Sequence, residues 1–194
     1  MLVQVRGSSN RAQRRETRTH PMDELIAKIE KAFADVEYPG DDDLTDSTYG
    51  EEPAALVNDF RGKTDWRRLD AAFLRQAPNG WGTALAFFSG NALRFFLPAY
   101  LIADIRGELN GFDPVPRLCS SLTPSGASRK IAARWGGGTM GERARADFAG
   151  FNTAQVSAVV AYLWWKLDAA GGYDPTIEQA LENYWLDRDA GSGN

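Results

Sequence analysis

Carboxylates crowd one short segment of this chain. Residues 35–52 carry eight Asp and Glu side chains and neither Lys nor Arg. With Asp41 taken as position one, Asp43 and Glu52 fall at positions three and twelve of a calcium-binding loop. The glycine that such a loop requires at position six is here Asp46. The segment is therefore predicted to be a solvated loop, in which Asp41, Asp43 and Glu52 are only weak metal candidates.

Gly136 and Gly141 have the spacing of the glycines in a phosphate-binding loop. That loop continues with a lysine, which neutralises phosphate, and a hydroxyl, which holds Mg²⁺. Here the next residues are Glu142 and Arg143. Because a carboxylate at this point would repel phosphate, we predict a flexible loop, and we predict no cofactor for the chain.

A catalytic triad would lack its base. His20 is the only histidine, and it is remote in sequence from Ser89 and from the single cysteine, Cys119. A nucleophilic serine or cysteine needs an adjacent base, and one Cys with one His cannot form a zinc site without several carboxylates. We therefore predict no catalytic residues, and the sequence favours a protein that is not an enzyme.

Arg94 is the one charged residue within the apolar block of residues 87–101. Its guanidinium must either extend outward along its stem or pair with a buried acid, for which Asp65, Asp70 and Asp104 are candidates. An ion pair that fixes how helices dock is the favoured interpretation. The alternative is an arginine that binds an anion in a pocket.

The clearest amphipathic helix follows Asn152 or Thr153, either of which can cap it. Its apolar face has six residues at helical spacing: Val156, Val159, Val160, Leu163, Trp164 and Leu167. Tyr162 and Trp165 fall on the opposite side with three alanines, and this side suits a partner helix or a second copy of the protein. Alternatively, the last helix covers that side.

Other helices are predicted from caps and helical spacing, with starts at Pro21, Pro53, Asp65 and Thr176. Ser89 should cap a helix in the aromatic block, and Pro98 should break it into one piece ending near Leu97 and another running toward Leu109. Residues 107–150 are predicted to be loops with one short helix at 128–135.

Together these elements predict an all-α fold, because no run of alternating β-branched residues is present. We expect one compact domain over residues 21–188, with about six helices and a Pro-kinked or broken central helix. Residues 1–20 and 189–194 are expected to be disordered tails.

Charge is distributed unevenly along the chain. Residues 1–20 hold five arginines and one glutamate, so they carry +4 and the remainder carries −8. An acidic body repels a nucleic-acid backbone, so nucleic acid is disfavoured as a partner. No secretory signal or membrane-spanning segment is evident, and one cysteine fits a reducing compartment. We predict a soluble, cytoplasmic protein with no membrane partner.

Three motifs together resemble an uncharacterised bacterial family known only as a domain of unknown function. They are the turn Tyr38-Pro39-Gly40-Asp41, the group Gly62-Lys63 with Trp66, and the block Leu93-Arg94-Phe95-Phe96-Leu97-Pro98-Ala99-Tyr100. The likeness covers most of residues 22–187. It implies a small helical cytoplasmic domain and contributes no mechanism.

Two functions remain open at this point. The favoured one is an acidic protein-binding or regulatory module, for example a protein that neutralises a basic toxin, with another protein or itself as partner. Its predicted contact residues are Arg94, Tyr162 and Trp165. The alternative is a carboxylate- or metal-dependent hydrolase, which needs two converging acids. The module is preferred because no two acids clearly face each other from separate helices.

Overall fold

Residues 20–191 form helices and turns that pack together, and no β-strand occurs among them. The computed structural model describes these residues, and ten helices follow one another there. The all-α prediction is confirmed, whereas the predicted number of about six helices is wrong. Of the predicted basic tail, residues 1–20, all but His20 lies outside the described residues, and the predicted tail at 189–194 is described only as far as Gly191.

Helix α1 (Pro21–Ala32) begins where the sequence predicts. The imidazole of His20 accepts a hydrogen bond from the backbone N–H of Met22 at 3.4 Å, so His20 caps the helix. Leu25 and Ile29 are buried on its inner face.

The acidic segment is more ordered than a solvated loop. Asp41–Asp43 form a 3-10 turn, and the next residue, Leu44, is fully buried. Helix α2 (Glu51–Phe60) starts two residues before the predicted Pro53. Burial of Leu44 anchors the segment while its carboxylates stay near the surface.

The predicted third helix is split into a 3-10 turn (Trp66–Arg68) and helix α3 (Ala71–Gln76). Asp65 caps the first piece and Asp70 caps the second, because each carboxylate accepts from a backbone N–H at the start of its own piece. A short helix, α4 (Ala84–Phe87), follows.

Helix α5 (Gly90–Ile105) occupies the centre of the fold. The Ser89 hydroxyl accepts from the backbone N–H of Ala92 at 3.0 Å, so the predicted cap is confirmed. Pro98 lies inside the helix, which runs without interruption to Ile105, so the predicted break at Leu97 is wrong.

Burial explains why α5 continues through its proline. A proline in a helix interior costs about 3 kcal/mol. Every residue from 95 to 103 is buried, and burying one large apolar side chain contributes about 1.5–3 kcal/mol. Several such side chains outweigh the single lost hydrogen bond.

Residues 107–150 contain far more helix than predicted. Helices α6 (Val115–Cys119), α7 (Pro124–Ala127) and α8 (Met140–Phe148) lie there, and the helix predicted at 128–135 is seen only as a 3-10 turn at Ala133–Trp135. Another 3-10 turn, Ser120–Leu122, links α6 to α7.

A capping box starts α8. The Thr139 hydroxyl accepts from the N–H of Glu142, and the Glu142 carboxylate accepts from the N–H of Thr139 at 2.8 Å. This Thr-x-x-Glu signal is present in the sequence, but the glycine run before it directed the prediction toward a loop.

Helix α9 (Thr153–Ala169) is capped by Asn152. The last helix, α10, consists of Pro175–Ala180, a π-helical turn Leu181–Trp185, and Leu186–Ala190, in unbroken succession. The Trp185 indole donates to the carbonyl of Leu118 at 3.0 Å, which ties α10 to α6.

An aromatic cluster lies against α5. The rings of Phe60, Phe88 and Phe96 contact one another at centroid distances of 4.8 to 5.1 Å, so α2 docks on the start of α5. Helices α1, α3 and α8 also pack on α5. The predicted burial of the aromatic block is confirmed. Between residues 20 and 191, no helix combines the length and the apolar character that crossing a bilayer requires.

Helix α8 packs so closely on α7 that Gly141 has no room for a side chain. A Cβ atom there would lie 2.7 Å from the Cβ of Ala127 and 2.9 Å from its Cα. Alanine is favoured over glycine by about 1 kcal/mol in an uncrowded helix. We expect Gly141→Ala instead to lower the free energy of unfolding by about 1–3 kcal/mol in urea denaturation, as overpacking does.

The matched control is Gly150→Ala, since a Cβ there would meet its nearest neighbour at 3.9 Å. This variant should stay within about 0.5 kcal/mol of the wild type. A stabilised Gly141→Ala protein would contradict the close packing of α7 and α8.

Candidate functional site

Asp41 closes the turn that begins at Tyr38. Its carboxylate accepts from the Tyr38 hydroxyl at 2.6 Å and from the N–H of Gly62 at 2.9 Å. The hydrogen bond from Tyr38 lowers the pKa of Asp41 below its usual range, while burial, supported by the same bond, raises the pKa of Tyr38 to about 12. Asp41 therefore joins the turn to the end of α2.

Asp43 forms hydrogen bonds with residues at the start of α5, and Glu52 is part of a helix. The backbone carbonyl of Asp43 accepts from the Ser89 hydroxyl at 2.6 Å, and its carboxylate accepts from the Asn91 side-chain amide at 2.7 Å. Glu52 lies in the first turn of α2. Within the described part of the chain, no three acidic, histidine or cysteine side chains are grouped as metal ligands.

Arg94 is bound to an amide. Its Nε donates to the side-chain oxygen of Gln155 at 2.9 Å, and this oxygen also accepts from the N–H of Asn152. Gln155 is almost fully buried. Arg94 thus fixes α5 against the start of α9.

The ion pair predicted for Arg94 is not formed. Among residues 20–191 no carboxylate lies within salt-bridge distance of it. Asp65 and Asp70 act as caps, and Asp104 pairs with Lys166 at 3.0 Å. Part of the Arg94 side chain is exposed, so an anion in solution can reach it. Anion binding by Arg94 stays a prediction.

Tyr162 and Trp165 lie near Asp104 rather than on an open face. The Tyr162 hydroxyl donates to Asp104 at 2.6 Å, and Tyr162 itself is fully buried. Trp165 is half-buried against it, with ring centroids 5.9 Å apart. Their role in binding a partner stays a prediction, and only Trp165 offers surface to one.

Trp164 corrects the predicted apolar face of α9. Its side chain is 46% exposed, although the spacing placed it with the buried residues. Helix α9 contacts α1 on one side and the end of α10 on another, and Ala158 is buried as completely as Val159. A helix buried on two sides has no single apolar stripe, so periodicity cannot assign Trp164 and Trp165 correctly.

A charge network that sequence reasoning missed links α6, α8 and the acidic segment. Asp147 is 7% exposed and accepts from Arg117 at 2.7 Å and from Arg143 at 3.1 Å. Arg143 also donates to Asp46 at 2.8 Å. Arg143 and Asp147 are four residues apart, and this spacing indicates an ion pair on one face of a helix. Arg117 and Asp46 are remote in sequence, so no local pattern indicates that they join the network.

Two large aromatic side chains meet on the surface, and one of them, Tyr49, follows Asp46 of this network by three residues. Tyr49 is 63% exposed and Trp135 is 49% exposed, and their ring centroids lie 6.1 Å apart in an edge-to-face arrangement. Arg134 stacks over the Trp135 ring. We call Tyr49 and Trp135, with the salt-bridged Asp46 and Arg143, the Tyr49–Trp135 surface.

The same salt bridge forms part of an open depression at the start of α5. Its volume is about 400 Å³, and its lining includes Asp43, Ser89 and Asn91 as well as Asp46 and Arg143. This lining is polar, and its carboxylates are held by Asn91, Arg143 and Arg117. The predicted hydrolase needs two free carboxyl groups that converge, and residues 20–191 show no such pair in this depression.

Between residues 20 and 191 the protein is all-helical, and Tyr49 and Trp135 meet on its surface without lining the depression at the start of α5. A model described as a family of unknown function (DUF6714) matches residues 21–189, so the chain belongs to that family. The predicted membership of a family of unknown function is confirmed. Comparison with curated proteins and with solved structures finds no significant match.

The Asp147 network predicts unequal effects of its members on stability. Asp147→Ala would leave Arg117, whose side chain is 15% exposed, without its carboxylate, and breaking a buried pair costs about 3–5 kcal/mol. Arg143 is 43% exposed, so Arg143→Ala should cost at most about 1 kcal/mol. Urea denaturation of both variants measures the difference. Equal losses would contradict the buried position of Asp147.

The Tyr38–Asp41 hydrogen bond predicts a pH effect. Because the folded-state pKa of Asp41 is lowered, this contact stabilises the protein above the unfolded value of 3.8 and is lost as pH falls through the folded value. Tyr38→Phe should raise the pKa of Asp41 in a carboxyl NMR titration and reduce the acid-induced loss of stability. The control is Tyr173→Phe, which alters an exposed ring. An unchanged Asp41 titration in Tyr38→Phe would refute the contact.

Proposed function

We propose that this protein is an acidic protein-binding module and that it engages its partner through the Tyr49–Trp135 surface. The observation that carries this proposal is the exposure of two large aromatic side chains that contact each other at the surface. Tyr and Trp, together with Arg, are the residues that most often dominate the binding energy of protein interfaces.

The position of these rings supports recognition. Tyr49 precedes α2 in the acidic segment, and Trp135 lies in the loop that the bridge between Lys130 and Thr139 closes. Binding residues are concentrated on loops that a rigid scaffold positions. Here the scaffold is the salt bridge from Asp46 to Arg143 and, behind it, the buried Asp147.

Mutual contact also lowers the cost of binding. Each ring restricts the other, and Arg134 restricts Trp135 from a further side. A side chain that is already ordered loses less conformational entropy when a partner covers it. Two unrestrained surface rings would lack this advantage.

The predicted contact residues Arg94 and Trp165 belong to this proposal as two further contact points, one near the start of α9 and one near its end, since both keep accessible surface. Neutralisation of a basic toxin is a second form of the module, which the charge of −8 outside residues 1–20 favours for a partner that binds outside the Tyr49–Trp135 surface. A toxin gene beside the gene for this protein would provide the partner for a direct binding measurement.

Removing the Trp135 ring should abolish partner binding without unfolding the protein. Affinity capture from the native host with wild-type protein and with Trp135→Ala should show a partner that only the wild type retains. The matched control is Trp81→Ala, because Trp81 is 47% exposed and lies outside the Tyr49–Trp135 surface. Circular dichroism should show equal folding of all three proteins.

The expected result is specific loss with Trp135→Ala and retention with Trp81→Ala. A partner that binds the wild type, Trp135→Ala and Trp81→Ala equally would refute this surface as the recognition site.

A further inference from the structure

We propose that the Tyr49–Trp135 surface binds a second copy of this chain in a two-fold symmetric dimer. This inference rests on the proposed function and names the partner of the same surface. It follows from how charges of opposite sign are arranged around the two rings.

One side of the surface is acidic. Tyr49 belongs to the segment with eight carboxylates and no base, and Glu51 is an exposed residue two positions after it. Glu52 follows in the same first turn of α2. Tyr49 therefore lies in an acidic stretch of the chain.

The other side is basic. Trp135 follows a short stretch with three exposed cationic side chains: Arg129, Lys130 and Arg134. Arg134 lies against the Trp135 ring itself, with its guanidinium carbon 4.4 Å from the ring centroid. The contact between Tyr49 and Trp135 thus marks the boundary between an acidic and a basic half.

These charges are mostly unused within one copy. Among residues 20–191, the salt bridge that joins the two halves is the one between Asp46 and Arg143. No salt bridge there involves Glu51 or Arg134. Lys130 is less free, because its charge adds to the hydrogen bonds from Thr139 that lower the pKa of Glu142. Glu51 and Arg134 therefore keep charge that a partner can pair.

A two-fold rotation about an axis between the rings brings the acidic half of each copy opposite the basic half of the other. An isologous interface requires such a self-complementary patch, and each residue contact then occurs twice. A uniformly basic partner would be attracted by the acidic half and repelled by Arg129, Lys130 and Arg134 in the basic half. The charge pattern consequently favours a second copy.

The dimer should be weak and sensitive to salt. Stable interfaces bury about 1,600 Å² in total, and a patch formed by two loops provides less. Exposed ion pairs are screened over a Debye length of about 8 Å at physiological ionic strength. Association should therefore increase with protein concentration and decrease with added salt.

Sedimentation velocity of the full chain tests the proposal. The wild type should shift from a species of 21.4 kDa toward twice that mass as its concentration rises at low salt. Glu51→Lys and Arg134→Glu should each weaken self-association by about tenfold or more, since each places like charges opposite one another at two equivalent contacts. Lys63→Glu serves as the charge-matched control, because Lys63 follows the opposite end of α2 from Tyr49 and lies over the Phe73 ring.

An equal mixture of Glu51→Lys and Arg134→Glu provides the decisive measurement. In that mixed pair, Lys at position 51 faces Glu at position 134, and the native Arg134 of the first variant faces the native Glu51 of the second. Both contacts are again attractive, so the mixture should associate as the wild type does while each variant alone stays monomeric.

Three results would overturn the proposal. They are a wild type that stays monomeric at every concentration, a dimer that neither charge reversal weakens, and a mixture that fails to associate when both variants alone are folded monomers. A monomeric wild type whose captured partner is still lost with Trp135→Ala would refute the dimer and leave the proposed function intact.

Discussion

The structure depends on keeping the middle of α5 away from water on every side. Residues 95–103 are all buried, so neighbouring helices must surround α5 completely. Polar groups of α5 and of its cap then take partners from other parts of the chain, although among the described residues the buried hydroxyl of Tyr100 has none. Ser89 binds the carbonyl of Asp43, Arg94 binds Gln155, and Asp104 binds Tyr162 and Lys166. Satisfying these groups fixes the acidic segment and α9 relative to the core.

A second consequence is that α8 supports the surface. Its start packs on α7 at Gly141, and its end carries Asp147, which Arg117 holds in a largely buried pair. Arg143 lies one turn earlier on α8 and reaches both Asp147 and Asp46. The exposed end of this network is therefore connected to a buried carboxylate. Such a connection positions a loop more firmly than an isolated surface ion pair would.

The surface proposed for recognition consists of aromatic side chains that the core leaves exposed. The rings of Phe60, Phe88 and Phe96 are buried together, whereas Tyr49 and Trp135 meet at the surface. Burial of the apolar rings stabilises the fold because it removes their surface from water. The exposed rings are still in contact with water, so covering them with a partner would contribute to the free energy of binding. In the proposed interaction, the acidic and basic segments on either side determine which partner fits.

Local signals in the sequence determined the helical class, the caps at Ser89 and Asp65, and the burial of the aromatic block, because caps and apolar spacing act within one or two turns. The same local reasoning failed at Pro98, where burial from several directions outweighs one lost hydrogen bond. It also failed for the partner of Arg94 and for the exposure of Trp164. Those outcomes, like the meeting of Tyr49 with Trp135, depend on contacts between residues far apart in sequence, and only the tertiary structure decides which of these residues meet.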